Sequence, residues 1–457
     1  MSVATLSGFV GALLDARVAD VAPTLLRRTS AVVLDTASVG WAASRDPQFQ
    51  ALAPLAHGSG RSSTVIRGAN RVDAESAAFL NGTAAVWCEM DEGFRGAGHP
   101  GAHVVSAGVA LAEDRGRSGT ELLLAILQGY ELQAALGLNT TLRPEVHAHG
   151  ALGAPAAALT ASSLLGLDAE RATQAVNIAA NLAPAGLWLS CLGGQTVRNT
   201  LAGSGAQVGI RAALLASAGV TAREDSCEVG YGIVRGTAFS GWPRFEREWS
   251  LRAGYLKQWS ACAYSHTALD AAEAITRDPE FRAADVSAVS VFVPAVGALL
   301  SSVLFGPPLA VRFSLPVLVA LVLCGVDVKR PESAGDVPLE VRRLAERVHI
   351  VEDAELTAWW PEHSRARVVV STVNGAEHAK ERWDPVTPTE DESFVDAVVS
   401  KAGRLHDWLD PSGAYERIED LVRATYVSDI FSLPTPMLHD WDVPQQNVGI
   451  ADAEKRS

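Results

Sequence analysis

The stretch Val286-Ser-Ala-Val-Ser-Val-Phe-Val293 decides the fold class, because the chain changes character there. Its β-branched residues and period-two alternation predict a half-buried strand. Residues 346–353 (ERVHIVED) predict a second short strand. Residues 365–383 (RARVVVSTVNGAEHAKERW) predict two extended arms around Asn374-Gly375, the strongest short hairpin signal. Between these strands, 313–326 (FSLPVLVALVLCGV) reads as a buried apolar helix.

Working upstream, the first ~265 residues read as helix after helix. Pro23 opens an apolar-rich run, Asp73 and Asp168 are N-cap candidates, and Ser118-Gly-Thr-Glu121 is a capping box ahead of LLLAILQGYELQAAL. The Gly205-xxx-Gly209 spacing lets helices approach closely. Downstream of Pro385 and Pro388 the helical pattern returns in 392–409 and 412–427, and 434–457 reads as a loosely ordered tail. The expectation is a mainly α protein with an α+β part. Residues 1–271 and 393–457 would form a large all-helical domain, and 272–392 a smaller α+β lid domain. Small-molecule sites form in clefts between such parts.

The 457 residues exceed what one core supports, since single cores stop growing near ~250–300 residues. A net charge of −14 argues against nucleic acid, which needs a basic footprint. It leaves anionic substrates open, because one local cationic pocket suffices. Only five lysines are present, at 257, 329, 380, 401 and 455, so a lysine among apolar neighbours stands out. Five scattered cysteines form no CxxC pair and suggest neither a disulfide framework nor a zinc site. The charge-free stretches 172–197 and 286–311 contain proline and polar residues, so neither reads as a membrane span. The N-terminus lacks a basic leader region. The expected location is cytoplasmic.

Residues 81–114 (NGTAAVWCEMDEGFRGAGHPGAHVVSAGVALAED) carry Asn81-Gly82, the acidic trio Glu89, Asp91 and Glu92, and His99-Pro100. This order resembles the N-terminal signature of the MmgE/PrpD family. The likeness continues through HAHGALGAPAAALTASSLLGLD, RNTLAGSGAQVGIRAALLASAGVTA, LKQWSACAYSHTALDA and FSLPVLVALVLCG. Members of that family are cofactor-free lyases and isomerases of small carboxylates. They dehydrate 2-methylcitrate, decarboxylate cis-aconitate or epimerise iminodisuccinate. The resemblance implies a helical domain with a smaller lid, a small-molecule substrate, no cofactor, no metal and a homodimer.

Several residues carry candidate chemistry. His99 sits in the Gly-rich loop GFRGAGHPG, and a histidine suits proton transfer near neutral pH. Crowded carboxylates raise at least one pKa, and the resemblance points to Asp91 within the trio. The family often has aspartate where Glu89 stands. His147 and His149 form an H-x-H before a helix N-terminus, where an anion is favoured; either could face the site. With the carboxylates they could be imagined as a metal site, but the spacing matches no strong motif. Lys257 is expected as substrate ligand or as a base whose pKa burial lowers. Cys262 and His266 are spaced i and i+4, predicting one shared helix face.

Three positions depart from the family pattern. Arg198 stands where lysine is common; it could clamp a carboxylate but could not act as a base. Gly93 replaces a threonine, and Val317 replaces a tyrosine of the decarboxylase-type members. Both changes are expected to enlarge the pocket and make it less polar, which argues against the usual tricarboxylates. The leading expectation is a dehydratase or decarboxylase acting by proton transfer. An isomerase, epimerase or cyclase on a larger, less charged molecule is the alternative, and a catalytically silent binding protein is the third reading. No P-loop, G-x-S-x-G or HExxH is present.

Overall fold

A computed structural model describes residues 4–55, 63–64, 71–406 and 409–427. The expected tail at 434–457 lies outside the described residues. The N-terminal half is a body of helices: α1 (Leu6–Leu14), α2 (Pro23–Ala43), α3 (Ala74–Trp87), α4 (Pro100–Arg115), α5 (Gly119–Leu138), α6 (Gly153–Leu165), α7 (Ala169–Leu182) and α8 (Val197–Ser217). The local signals are used as the sequence suggests. Pro23 opens α2, Asp73 and Asp168 cap α3 and α7, and the Ser118–Glu121 box is closed in both directions.

α8 lies at the centre of the body, against α3, α6 and α7. Small residues make this possible. A Cβ on Gly209 would stand 2.4 Å from the Ala157 methyl, and one on Gly205 would stand 2.7 Å from the Gly150 Cα. Each gap is closer than van der Waals contact allows, so glycine sets the distance of α8 from α6 and from the turn that precedes it.

The C-terminal half adds α9 (His266–Thr276), β1 (Val286–Val293), α10 (Leu315–Leu323), β2 (Val348–Glu352), β3 (Ala366–Thr372) and β4 (Glu377–Arg382). The sheet order is β2-β1-β3-β4. β1 pairs parallel with β2 and antiparallel with β3, and β3–β4 is the hairpin turning at Asn374-Gly375. Val289, Val291 and Val293 on β1 point into an apolar core shared with α9 and α10.

The chain then returns to the helical body through α11 (Asp391–Leu405) and α12 (Pro411–Arg423). Phe394, Val398, Ile418 and Leu421 belong to the body's core, and α11 packs along α2. The second core also takes in Trp259, Ala261 and Cys262, so the extended segment before α9 connects the two cores. All five cysteines are free thiols. No described helix is long and apolar enough to cross a membrane.

Candidate active site

The acidic trio follows α3 directly. Glu89 adopts φ 53°, a left-handed backbone rare outside glycine. Such a conformation costs about 1–3 kcal/mol and persists where surrounding contacts impose it. It sends Glu89 and Asp91 inward, to 1% and 2% exposure, so the trio is no solvated helix end.

Here they meet the extended segment before α9. Lys257 has no exposed surface, and its Nζ lies 3.0 Å from Glu89 Oε2 and 3.2 Å from Asp91 Oδ1. Burial works against this ammonium, but Asp91 and Glu89 hold its pKa above the usual lysine value. The expected lysine base with a lowered pKa is thus corrected: two carboxylates face one ammonium. Asp91 is likewise opposed by its own burial, yet His99 and Lys257 hold it well below the carboxylate range.

Arg198, on α8, ion-pairs with Glu89 Oε1. Its Nε donates to His147 Nε2 at 3.3 Å, and its NH1 donates to the Val86 carbonyl at 3.3 Å. NH2 also lies 3.1 Å from His149 Nε2. Every nitrogen of the guanidinium has a protein partner, and the side chain is 2% exposed. The expectation that Arg198 clamps substrate is therefore corrected: in this arrangement it neutralises Glu89.

His99 occupies the N-cap position of α4 without capping it. Its Nδ1 donates to the Glu92 carbonyl at 2.8 Å and lies 2.9 Å from Asp91 Oδ2. Placing the proton on Nδ1 leaves Nε2 as the acid–base atom, and among the described residues Nε2 has no hydrogen-bond partner. The His99 side chain is 14% exposed, whereas the Asp91, Glu89, Lys257 and Arg198 side chains lie between 0% and 3%.

The histidine pair stacks behind His99. His149 lies parallel to it at 4.8 Å, and His147 continues the stack at 4.8 Å from His149. His149 is thus the nearer of the two to His99. Burial, reinforced by Arg198, holds both rings well below the usual histidine pKa, so both are neutral.

Crowding was expected to raise one carboxyl of the trio, with Asp91 singled out; Asp91 is lowered instead, and the raised one is Glu92. Burial is the largest cause, with the charges of Asp35 and then Asp91 lesser ones, and together they push Glu92 up to about 8. Its Oε1 accepts from Gly101 N–H at 2.6 Å, which places it on the first turn of α4, and Tyr130 Oη donates to its Oε2 at 3.1 Å. Next to His149, at the helix N-terminus expected to favour an anion, the Gly150 N–H donates to His103 Nε2 at 3.0 Å.

Cys262 lies beside Glu89 and Lys257, and burial pushes its thiol up to about 12. It precedes a 3₁₀ turn at Ala263–Ser265, and α9 begins only at His266, which corrects the expected shared helix face. His266 is 4% exposed, lies 3.1 Å from the Ala261 carbonyl, and is lowered by burial to about 3. The expected enlargement at Gly93 and Val317 is also corrected. A Cβ on Gly93 would stand 2.5 Å from Tyr255 Oη, so the tyrosine fills the threonine's place. Val317 has no accessible surface and belongs to the second apolar core, so it lines no open space.

Sequence reasoning passed over Tyr255 and His103. Tyr255 precedes Lys257 by two residues on extended chain, which puts both on one face. His103 follows His99 by one helical turn, and its Nδ1 donates to the His99 carbonyl at 3.0 Å. Both signals were available locally.

Asp91, His99 and His149 each offer an atom within 4.8 Å of the others, a spacing that could hold a metal ion. Two cations already stand on the neighbouring carboxylates, so the arrangement is better matched to proton transfer than to a second positive charge. Chemically, the cluster presents one accessible imidazole oriented by an ionised aspartate, backed by neutral rings.

Comparison with known proteins places this geometry in a family. Residues 8–247 match the MmgE/PrpD N-terminal domain, and residues 259–425 match the MmgE/PrpD C-terminal domain. Human cis-aconitate decarboxylase is 29% identical over 237 residues, which is 49% of this chain and 49% of that protein. The mouse protein of the same name is 28% identical over 236 residues, 49% of this chain and 48% of its own. The chain thus aligns with about half the length of these curated relatives. With both domains matched in order, and with them most of its length, the chain belongs to the MmgE/PrpD family.

Proposed function

We propose that this protein is a lyase that needs no cofactor, a dehydratase or decarboxylase moving a proton at a carbon next to a carboxylate. The observation that carries the reading is His99: Nδ1 fixed by the Glu92 carbonyl and Asp91, Nε2 without a partner among the described residues. Nε2 takes the proton from carbon, or delivers it there after CO2 departs, and Asp91 stabilises the imidazolium that forms. Lys257 and Arg198 offset the charges of Asp91 and Glu89. Tyr255, which adjoins Gly93 and His99, is suited to a leaving hydroxyl.

The substrate is less charged than a tricarboxylate. Asp91 and Glu89 are balanced by Lys257 and Arg198, and Glu92 holds its proton at neutral pH, so the centre offers little net positive charge. Residues 272–392 act as the lid over a body made from 1–271 and 393–457. The active form is a cytoplasmic homodimer. Leu182, Leu187, Leu189, Ile233 and Val234 are 49–64% exposed on neighbouring segments, an apolar surface suited to a second copy.

The test is turnover in D2O, followed by NMR, on a panel running from monocarboxylates to cis-aconitate. His99→Gln should lose about 10²–10⁴-fold in rate while remaining folded. Undiminished turnover in that variant would overturn the assignment. Deuterium uptake without loss of water or CO2 would replace the lyase with an isomerase using the same histidine.

A further inference from the structure

A cavity of about 300 Å³ lies outside the catalytic cluster, where α9, the end of β4 and α11 converge. This is at the lower end of the ~300–1,000 Å³ typical of small-molecule sites. Four cations, Arg277, Lys329, Arg382 and Arg404, face two carboxylates, Asp270 and Glu273. On a chain of net charge −14, that is a local reversal of sign.

The two carboxylates are already satisfied. Glu273 is held between Lys329 at 2.5 Å and Arg277 at 2.8 Å. Asp270 accepts from Trp259 Nε1 at 2.9 Å and from the Val386 N–H at 2.7 Å. The remaining two cations are not. Arg382 has no ion-pair or hydrogen-bond partner for its guanidinium among the described residues. Arg404 donates to the side-chain oxygens of Ser400 and Gln258, both uncharged, and its Nε is buried without a partner. A buried donor left unmade is costly, and a guanidinium presents planar donors matched to carboxylate and phosphate.

We propose that this cavity binds a small multivalent oxyanion, carboxylate or phosphate, between Arg382 and Arg404. The site is separate from the catalytic cluster but adjoins it: Gln258 lines the cavity and follows Lys257 in the chain. Arg404 lies one helical turn from Lys401, whose ammonium donates to the carbonyl of Met90, between Glu89 and Asp91. An occupant therefore bears on the two segments that hold the catalytic charges.

Calorimetric titration of the full chain at low salt, with inorganic pyrophosphate and separately with tricarballylate, tests the proposal. Saturable binding of either is expected, and which of the two binds tells phosphate from carboxylate. Arg382→Glu, at an exposed position, should weaken it by about tenfold or more, and Arg404→Gln similarly. His99→Gln, which alters the catalytic cluster and stays folded, should leave the affinity unchanged. Absence of saturable binding overturns the site. So does an affinity lost in His99→Gln but kept in Arg382→Glu, which would place the anion in the catalytic cluster.

Discussion

Lys257 and Lys401 are both fully buried and both meet carboxylate, yet their proton affinities move in opposite directions. Lys257 faces two carboxylates, and its ammonium is strengthened although burial opposes it. Lys401 faces one, Asp35 at 2.7 Å, and there burial wins: the lysine is lowered and the aspartate raised. The difference teaches that one partner does not offset the desolvation of a buried charge, whereas two do. It also separates roles. Lys401 holds the backbone at Met90, while Lys257 sets the charge around Glu89 and Asp91.

The largest effect should come from breaking the first of these. Lys257→Met leaves Glu89 and Asp91 with Arg198 as their remaining full cation and should destabilise by about 3–5 kcal/mol. Lys401→Met should cost only about 1–3 kcal/mol, because Asp35 is already inclined to hold a proton. Thermal or urea unfolding near pH 7 measures both, and equal losses would erase the distinction. The pH dependence sharpens it. Lys257 is raised in the folded state, so its stabilisation is present below its ordinary value of 10.5 and disappears at higher pH.

Glu92 gives a smaller effect with a definite sign. Its carboxyl rises from 4.5 to about 8 on folding, so between those pH values the folded state holds a proton that the unfolded state has released. Its contribution therefore falls as pH rises through that window. Glu92→Gln should gain stability relative to the parent from pH 5 to pH 8, and a constant difference would refute the assignment. A further effect is expected at Gly93→Ala, about 1–3 kcal/mol, because the added methyl would stand 2.5 Å from Tyr255 Oη, 2.6 Å from its Cζ and 3.0 Å from His99 Nδ1, so the ring must shift. Melting curves of Gly93→Ala with and without Tyr255→Ala should show the loss relieved in the double variant.

The fold was legible wherever signals are local. The alternation at 286–293, the Asn374-Gly375 turn and the Ser118–Glu121 box each specify their own geometry within a few residues. The strand order was not legible, since parallel pairing of β1 with β2 depends on residues some sixty positions apart. The same divide runs through the site. His99, Asp91, Lys257 and the histidine pair were all identified from composition and resemblance, and they do converge. What they do to one another could not be read. Lys257 reads as a weakened base because its two carboxylates lie 168 and 166 positions away. Arg198 reads as a free clamp because its partners come from two other segments, Val86–Glu89 and His147–His149. Gly93 suggested open space because Tyr255 arrives from a distant strand-like segment.

The stacked imidazoles have one more implication, for isotopes. Two of the three rings are locked neutral, so hydrogen taken up at the outermost ring has no inward route. In a reaction passing through His99 it can leave only by exchanging with solvent or by returning to the face of the molecule it came from. A suprafacial course with partial retention of label, rising as turnover outpaces exchange, is what this geometry dictates.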